Sequence, residues 1–188
     1  MTIKPPPALP DGRARRALLA WLAVSVGARA WASPASPPRR ETGSAALPGT
    51  RSLSLLLAQA ATRGEPVVVM FSRVDCVWCE ALRRDQISHL AKAAPARGVR
   101  VVEFDLGDAR EFAPGPTKDG GPGAASSGAD LARRLGVRLA PTVVFLGPRG
   151  ELAERLVGYP SRDFFGAYLD ERIEQARNAL RAGGPATQ

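Results

Sequence analysis

Pro66-Val67-Val68-Val69-Met70-Phe71 is a continuous, largely β-branched apolar run of strand length. It leads within a few residues into Cys76-Val77-Trp78-Cys79 and then into a stretch, Glu80 to Ala94, rich in Leu, Ala, Arg and Lys. A run with no polar alternation suits a central strand buried on both faces. The stretch after the cysteines predicts a helix, and Val99 to Asp105, beyond the turn at Ala96-Arg97-Gly98, predicts a second strand. The unit is β-α-β, with its two cysteines at the strand-to-helix junction. A chain of 188 residues has room for one such domain of ordinary size plus a leader or tail.

The flanking segments complete the order. Ser52 to Ala61 predicts a short helix ending before Gly64. Gly107 to Gly128 holds six Gly and three Pro in 22 residues, which predicts a flexible insertion with Phe112 as the one side chain able to pin it. Ala129 to Leu135 predicts a helix closed by Gly136, and Pro141 to Leu146 a third strand whose first residue has no N–H to donate. Gly147-Pro148-Arg149-Gly150 turns into a fourth strand, Glu151 to Val157, and so short a connection makes the last two strands an antiparallel hairpin. Ser161 is the expected N-cap of a final helix in which Phe165, Leu169, Ile173, Ala176 and Leu180 fall on one stripe. The expected order is α-β-α-β-loop-α-β-β-α, with no internal repeat.

Cys76 and Cys79 are the only cysteines. At a helix start, unpaired backbone N–H groups and the positive end of the helix dipole stabilise a thiolate, lowering a thiol pKa from about 8.5 to roughly 3.5–7.5 in such motifs. Cys76, the more exposed of the two, is the expected nucleophile, and Cys79, three residues on, the expected resolving thiol. The competing reading is an inert disulfide, although so small a loop constrains the unfolded chain little. A zinc site would need more ligands than this pair and His89, the single histidine, can supply, and haem attachment would need His where Glu80 stands.

Arg13, Arg15 and Arg16 precede an uncharged apolar stretch, Ala17 to Ala28, followed by Ala30-Trp31-Ala32, the small-x-small pattern of a signal-peptidase site. A cleaved export signal over residues 1–32 is therefore expected. Twelve residues of helix rise about 18 Å, short of the roughly 30 Å hydrocarbon core of a bilayer. Arg15-Arg16-Ala17-Leu18-Leu19 partly matches a twin-arginine signal, with Ala14 and Ala20 in place of the usual polar and basic flanks, so the export route stays open. Residues 33–50, rich in Pro, Ala, Ser and Gly, read as a flexible linker; 51–182 as the folded domain; 183–188 as a disordered tail. The formal net charge of +8 invites a nucleic-acid reading. Beyond residue 32, however, 21 basic residues face 17 acidic ones, with no basic run interleaved with aromatics, and nucleic-acid binding is set aside.

From about Leu53 to Leu180 the chain resembles the thioredoxin family, and more narrowly the periplasmic thioredoxins found with sulfur-oxidation systems. The matching segments are Val68 to Phe71, Asp75-Cys76-Val77-Trp78-Cys79-Glu80, Ala132 to Val137, Ala140-Pro141-Thr142-Val143-Val144-Phe145 and Val157-Gly158-Tyr159. The resemblance implies an α/β three-layer sandwich around a central mixed four-stranded sheet. It also implies a cis-proline at Pro141 lying against the sulfurs, and a backbone at Ala140 free to pair with an extended peptide. Four positions depart from the family pattern. Met70 stands where a buried carboxylate often helps move the proton of the resolving thiol, leaving water or Glu80 as the relay. Asp75 replaces the usual Trp, and its charge opposes a thiolate at Cys76. Val77-Trp78 replaces Gly-Pro, with Trp78 either a platform for substrate or a shield for the disulfide.

The expectation is a soluble, monomeric periplasmic thiol-disulfide oxidoreductase that reduces protein disulfides through Cys76 and Cys79, with no cofactor and no bound metal. The periplasm is oxidising, so a reductant there needs an electron supply, and the resemblance implies a membrane thiol transporter as donor. Two alternatives stay open: an oxidase that introduces disulfides, and a non-catalytic module whose thiols hold copper(I) or scaffold a partner.

Overall fold

The computed structural model describes residue 47 and residues 49–116 and 121–183. The expected leader, nearly all of the expected linker and the tail beyond Gly183 lie outside the described residues. Helix α1 (Leu53–Thr62) starts at Ser52, whose hydroxyl accepts the Leu55 N–H. Strand β1 (Val67–Ser72) is buried at every position. After the cysteine turn the chain is helical from residue 77 to 97, in three pieces: α2 (Val77–Leu82), a π-helical turn over Arg83–Ile87, and α3 (Ser88–Arg97). Gly98, left-handed at φ 58°, ends it, and Pro95 is tolerated in the last turn although it has no N–H to donate. Strand β2 (Arg100–Asp105), α4 (Gly128–Arg134), β3 (Thr142–Gly147), β4 (Gly150–Val157) and α5 (Arg162–Arg181) follow.

The strand order is β2-β1-β3-β4. β1 runs parallel to β2 and antiparallel to β3, and β3 and β4 form an antiparallel hairpin. Two central strands flanked by neighbours must be apolar on both faces, and β1 and β3 are. Val67, Val69, Phe71, Val144 and Leu146 face one layer with α1 and α4. Val68, Met70, Val143 and Phe145 face the other, with α2, α3 and α5. The result is the mixed four-stranded sheet between helical layers that the sequence implied. On α5, Phe165, Leu169, Ile173 and Ala176 are buried along the expected stripe, but Ser161 at its N-cap makes no side-chain capping bond.

The connection after β2, expected as a flexible insertion over residues 107–128, is hydrogen-bonded to the body at several of its described residues. Glu111 and Ser127 form a β-bridge, the Phe112 N–H donates to the Ser126 carbonyl at 2.7 Å, and the Ala113 N–H donates to the Arg51 carbonyl at 2.6 Å. Pro122–Ala124 form a 3₁₀ turn. Phe112 packs on Phe104 with ring centroids 5.2 Å apart, as its place in the sequence suggested. Asp130 closes the segment: its carboxylate accepts the Ser126 N–H at 2.9 Å, while Ser127, the N-cap of α4, accepts the Asp130 N–H at 3.1 Å. The Ser127 hydroxyl thus satisfies one of the orphan donors at the helix start, and the Asp130 carboxylate fixes the residue before the cap.

Candidate active site

Ser72 ends β1, and Arg73-Val74-Asp75 carry the chain away from the sheet. Asp75 is left-handed at φ 58°, a conformation that Asp tolerates better than most residues. The turn delivers Cys76 in extended conformation to the N-cap of α2. Its Sγ accepts the Cys79 N–H at 3.1 Å, and its carbonyl accepts the Glu80 N–H at 3.0 Å. Cys76 and Cys79 are joined in a disulfide. Cys79 is fully buried, whereas Cys76 is half-buried and packs at the edge of the same apolar cluster. One sulfur can therefore be approached from solvent, and the other is reached only through it.

A second loop arrives at the same end of the sheet. Thr142, the first residue of β3, pairs with Phe71 near the end of β1. Just before it lies buried Pro141, joined to Ala140 by a cis peptide bond. The Thr142 hydroxyl donates to the Leu139 carbonyl at 2.8 Å, and the Gly158 N–H donates to the Pro141 carbonyl at 2.8 Å. Ala140 packs, like Cys76, against the cluster that holds Cys79. Around these residues the apolar side chains of Val74, Val77, Trp78 and Leu139 are exposed, interleaved with exposed Arg73, Asp75, Glu80 and Arg138. Trp78 is 65% exposed.

Behind the site lies a feature the sequence did not announce. Glu103 on β2 pairs in register with Met70 on β1. Its carboxylate takes a two-pronged hydrogen bond from Arg83, one turn beyond Cys79, with Arg83 Nε donating to Glu103 Oε2 at 2.9 Å. Hydrogen bonding to Glu103, joined by its charge and that of Glu80, raises the Arg83 pKa against the opposing effect of burial. Met70 itself is fully buried and apolar, so the carboxylate missing from its position has a neighbour on the adjacent strand. Glu80, the sequence's candidate for a proton relay, is exposed. His89 is exposed on α3.

The π-turn also has a polar anchor. The Asp85 carboxylate accepts hydrogen bonds from Arg84 and from the Tyr159 hydroxyl at 3.2 Å, and pairs with Arg162 at 2.9 Å. Burial pushes its pKa up, but the Arg84, Arg162 and Tyr159 contacts together hold it below the ordinary carboxylate value. No group of three or more His, Cys, Asp or Glu side chains lies together among the described residues. No helix among them is long and apolar enough to cross a membrane.

The family model of the thioredoxin-like domain matches residues 53–173. The chain belongs to the thioredoxin-like family. Its match spans every element from α1 into α5, so the disulfide-bonded cysteine pair lies within the thioredoxin-like domain at the end of β1. No curated protein matches the chain. Among solved structures it is similar to the reduced periplasmic thioredoxin SoxS from Paracoccus pantotrophus, at 24% identity and a TM-score of 0.40, over 60% of this chain and 99% of that one. It is similar also to Fasciola hepatica thioredoxin, at 21% identity and a TM-score of 0.46, over 66% and 90%. A third is mitochondrial thioredoxin 3 from Saccharomyces cerevisiae in its oxidized form, at 19% and 0.44, over 68% and 93%.

Proposed function

We propose that this thioredoxin-like chain is a thiol-disulfide oxidoreductase that reduces protein disulfides outside the cytoplasm. The observation that carries the reading is the asymmetry of the pair, with half-buried Cys76 at a helix start bonded to fully buried Cys79. In the reduced protein the Cys76 thiolate attacks one sulfur of a substrate disulfide, forming a mixed disulfide and releasing the other sulfur as a thiolate that takes a proton from water. Cys79 then loses its proton and attacks Cys76 Sγ. The substrate leaves as a dithiol, carrying two electrons and two protons, and the Cys76–Cys79 disulfide is formed. Trp78 offers an apolar platform to the substrate, the Ala140 backbone an edge for an extended segment, and Pro141 keeps an N–H away from the sulfurs. Water or Glu80 carries the proton of Cys79.

Asp75 favours the reducing direction. A strong oxidant stabilises its thiolate, whereas a negative charge beside Cys76 opposes it and lowers the reduction potential. The leader supports export, with cleavage after Ala32 releasing a soluble protein, and a membrane thiol transporter is the proposed electron donor. Insulin reduction with a dithiol donor tests the activity: the wild type turns over and Cys76→Ser does not. A measured potential near −270 mV, as in reducing members of the fold, supports reduction, and one near −120 mV makes the protein an oxidase. Stoichiometric copper(I) binding without insulin turnover would replace the enzyme with a binding module.

A further inference from the structure

Beside the cysteine turn the surface opens into a cavity of about 700 Å³, framed by Arg73 and Val74 after β1, Asp105 to Gly107 after β2, Arg133 on α4, and Arg138. Val74 is two residues from Cys76 and Arg138 two residues from Ala140. Two residues of extended chain span about 7 Å, so the cavity borders both loops of the site. Its wall is cationic. Arg133 is engaged by Asp130, and the Asp105 carboxylate accepts the Gly107 N–H at 2.8 Å. Arg73 and Arg138 are exposed and have no ion pair among the described residues. Val74 and Leu139, 79% and 65% accessible, follow Arg73 and Arg138 directly in the chain, on the way to Cys76 and to Ala140.

We propose that this cavity selects substrates, and that the preferred partner is a protein whose target disulfide is followed by an apolar residue and then by acidic residues that enter the cavity against Arg73 and Arg138. The inference rests on the oxidoreductase reading and adds a substrate class to it. The apolar residue covers Val74 and Leu139. Carboxylates a few positions on meet guanidiniums that can bind them two-pronged. Asp75, next to Cys76, disfavours acids immediately beside the reacting sulfur, so the acidic segment belongs on the cavity side. Charge of this kind governs encounter rate and partner choice more than it adds affinity, and salt weakens it.

The test uses fluorescence-quenched peptide disulfides identical except for a Glu-Glu or a Lys-Lys pair three residues from the cysteine, reduced by the prereduced full-length protein. The wild type should reduce the acidic peptide about tenfold faster at low ionic strength, with the gap closing in high salt. Arg73→Glu combined with Arg138→Glu should reverse the order. The readout is a ratio within one protein, so any general loss of activity cancels. Arg149→Glu, in the β3–β4 turn at the other end of β3, should leave the ratio unchanged. Equal rates for the two peptides in the wild type, persistence of the preference in the double variant, or an equal shift from Arg149→Glu would each overturn the proposal while leaving the oxidoreductase reading intact. Failure to reduce either peptide would overturn both.

Discussion

On one side of the sheet, α1 and α4 close over Val67, Val69, Phe71, Val144 and Leu146, and the buried polar side chains of these two helices, Ser54 and Asp130, are hydrogen-bonded close to the helix starts. On the other side, the helices after the cysteines and α5 close over Val68, Met70, Val143 and Phe145, and among these apolar groups lies Cys79. The same layer brings Arg83 onto Glu103 and Asp85 onto Tyr159 and Arg162. The contrast follows from what each face must do. A face that only holds the sheet is served by close packing, whereas a face that buries a reactive sulfur needs its covering helix fixed in register. Such ion pairs add little net stability but penalise misplacement, most of all for the half-buried Arg83 and Glu103, since separating either charge from its partner strands the other.

If close packing is what holds the strands of the first face, truncating a large strand side chain there should give the largest loss of stability. Phe71→Ala, at a fully buried position, should cost about 4 kcal/mol in urea unfolding. A cost under about 1 kcal/mol would mean that this face is loosely packed. On the opposite face, Glu103→Gln should cost about 2 kcal/mol by leaving the half-buried Arg83 without its counter-charge, and the combined Arg83→Met and Glu103→Leu variant should recover most of it. A double variant no more stable than the single one would show that the pair contributes stability in its own right.

The smallest effect concerns the carboxylates that tie loops to the body. The Ser126 N–H first, then Arg134 and Arg133, hold the Asp130 pKa below its ordinary value against burial, and Asp85 is lowered as well. A carboxyl lowered in the folded state adds stability that is fully present above its unfolded pKa, about 3.9, and is lost as pH falls through the folded value. Stability should therefore change little from pH 7 to pH 5 on account of these groups and fall below about pH 4. Asp130→Asn should cost about 1–2 kcal/mol at pH 7 and nearly nothing at pH 2, giving a shallower acid limb in thermal melts. An acid limb identical to that of the wild type would remove Asp130 from the account.

The strands, their order and the cysteine junction were legible because each is written locally, in unbroken β-branched runs, turn residues and a spacing of three. The loop over 107–128 was not. Phe112 and Ala125 are isolated apolar residues with no period, and what they pack against, Phe104 and the layer under α1, lies elsewhere in the chain. The π-turn over Arg83–Ile87 carries no Gly or Pro to mark it. Glu103 reads as an ordinary strand residue until the β1–β2 register sets it beside Met70 and under Arg83. At the site itself the two cysteines, Ala140 and Pro141 could be picked out from sequence, whereas the arginine-walled cavity depends on three connections meeting at one end of the sheet.

The central claim is that Cys76 attacks and Cys79 resolves. Full-length protein carrying Cys79→Ser should accumulate mixed disulfides when incubated with oxidised protein substrates and resolved on non-reducing gels, because the sulfur that would release them is gone. Cys76→Ser should accumulate none, since Cys79 is fully buried. Equal trapping by the two variants, or trapping by Cys76→Ser alone, would contradict the assignment of roles on which the mechanism stands.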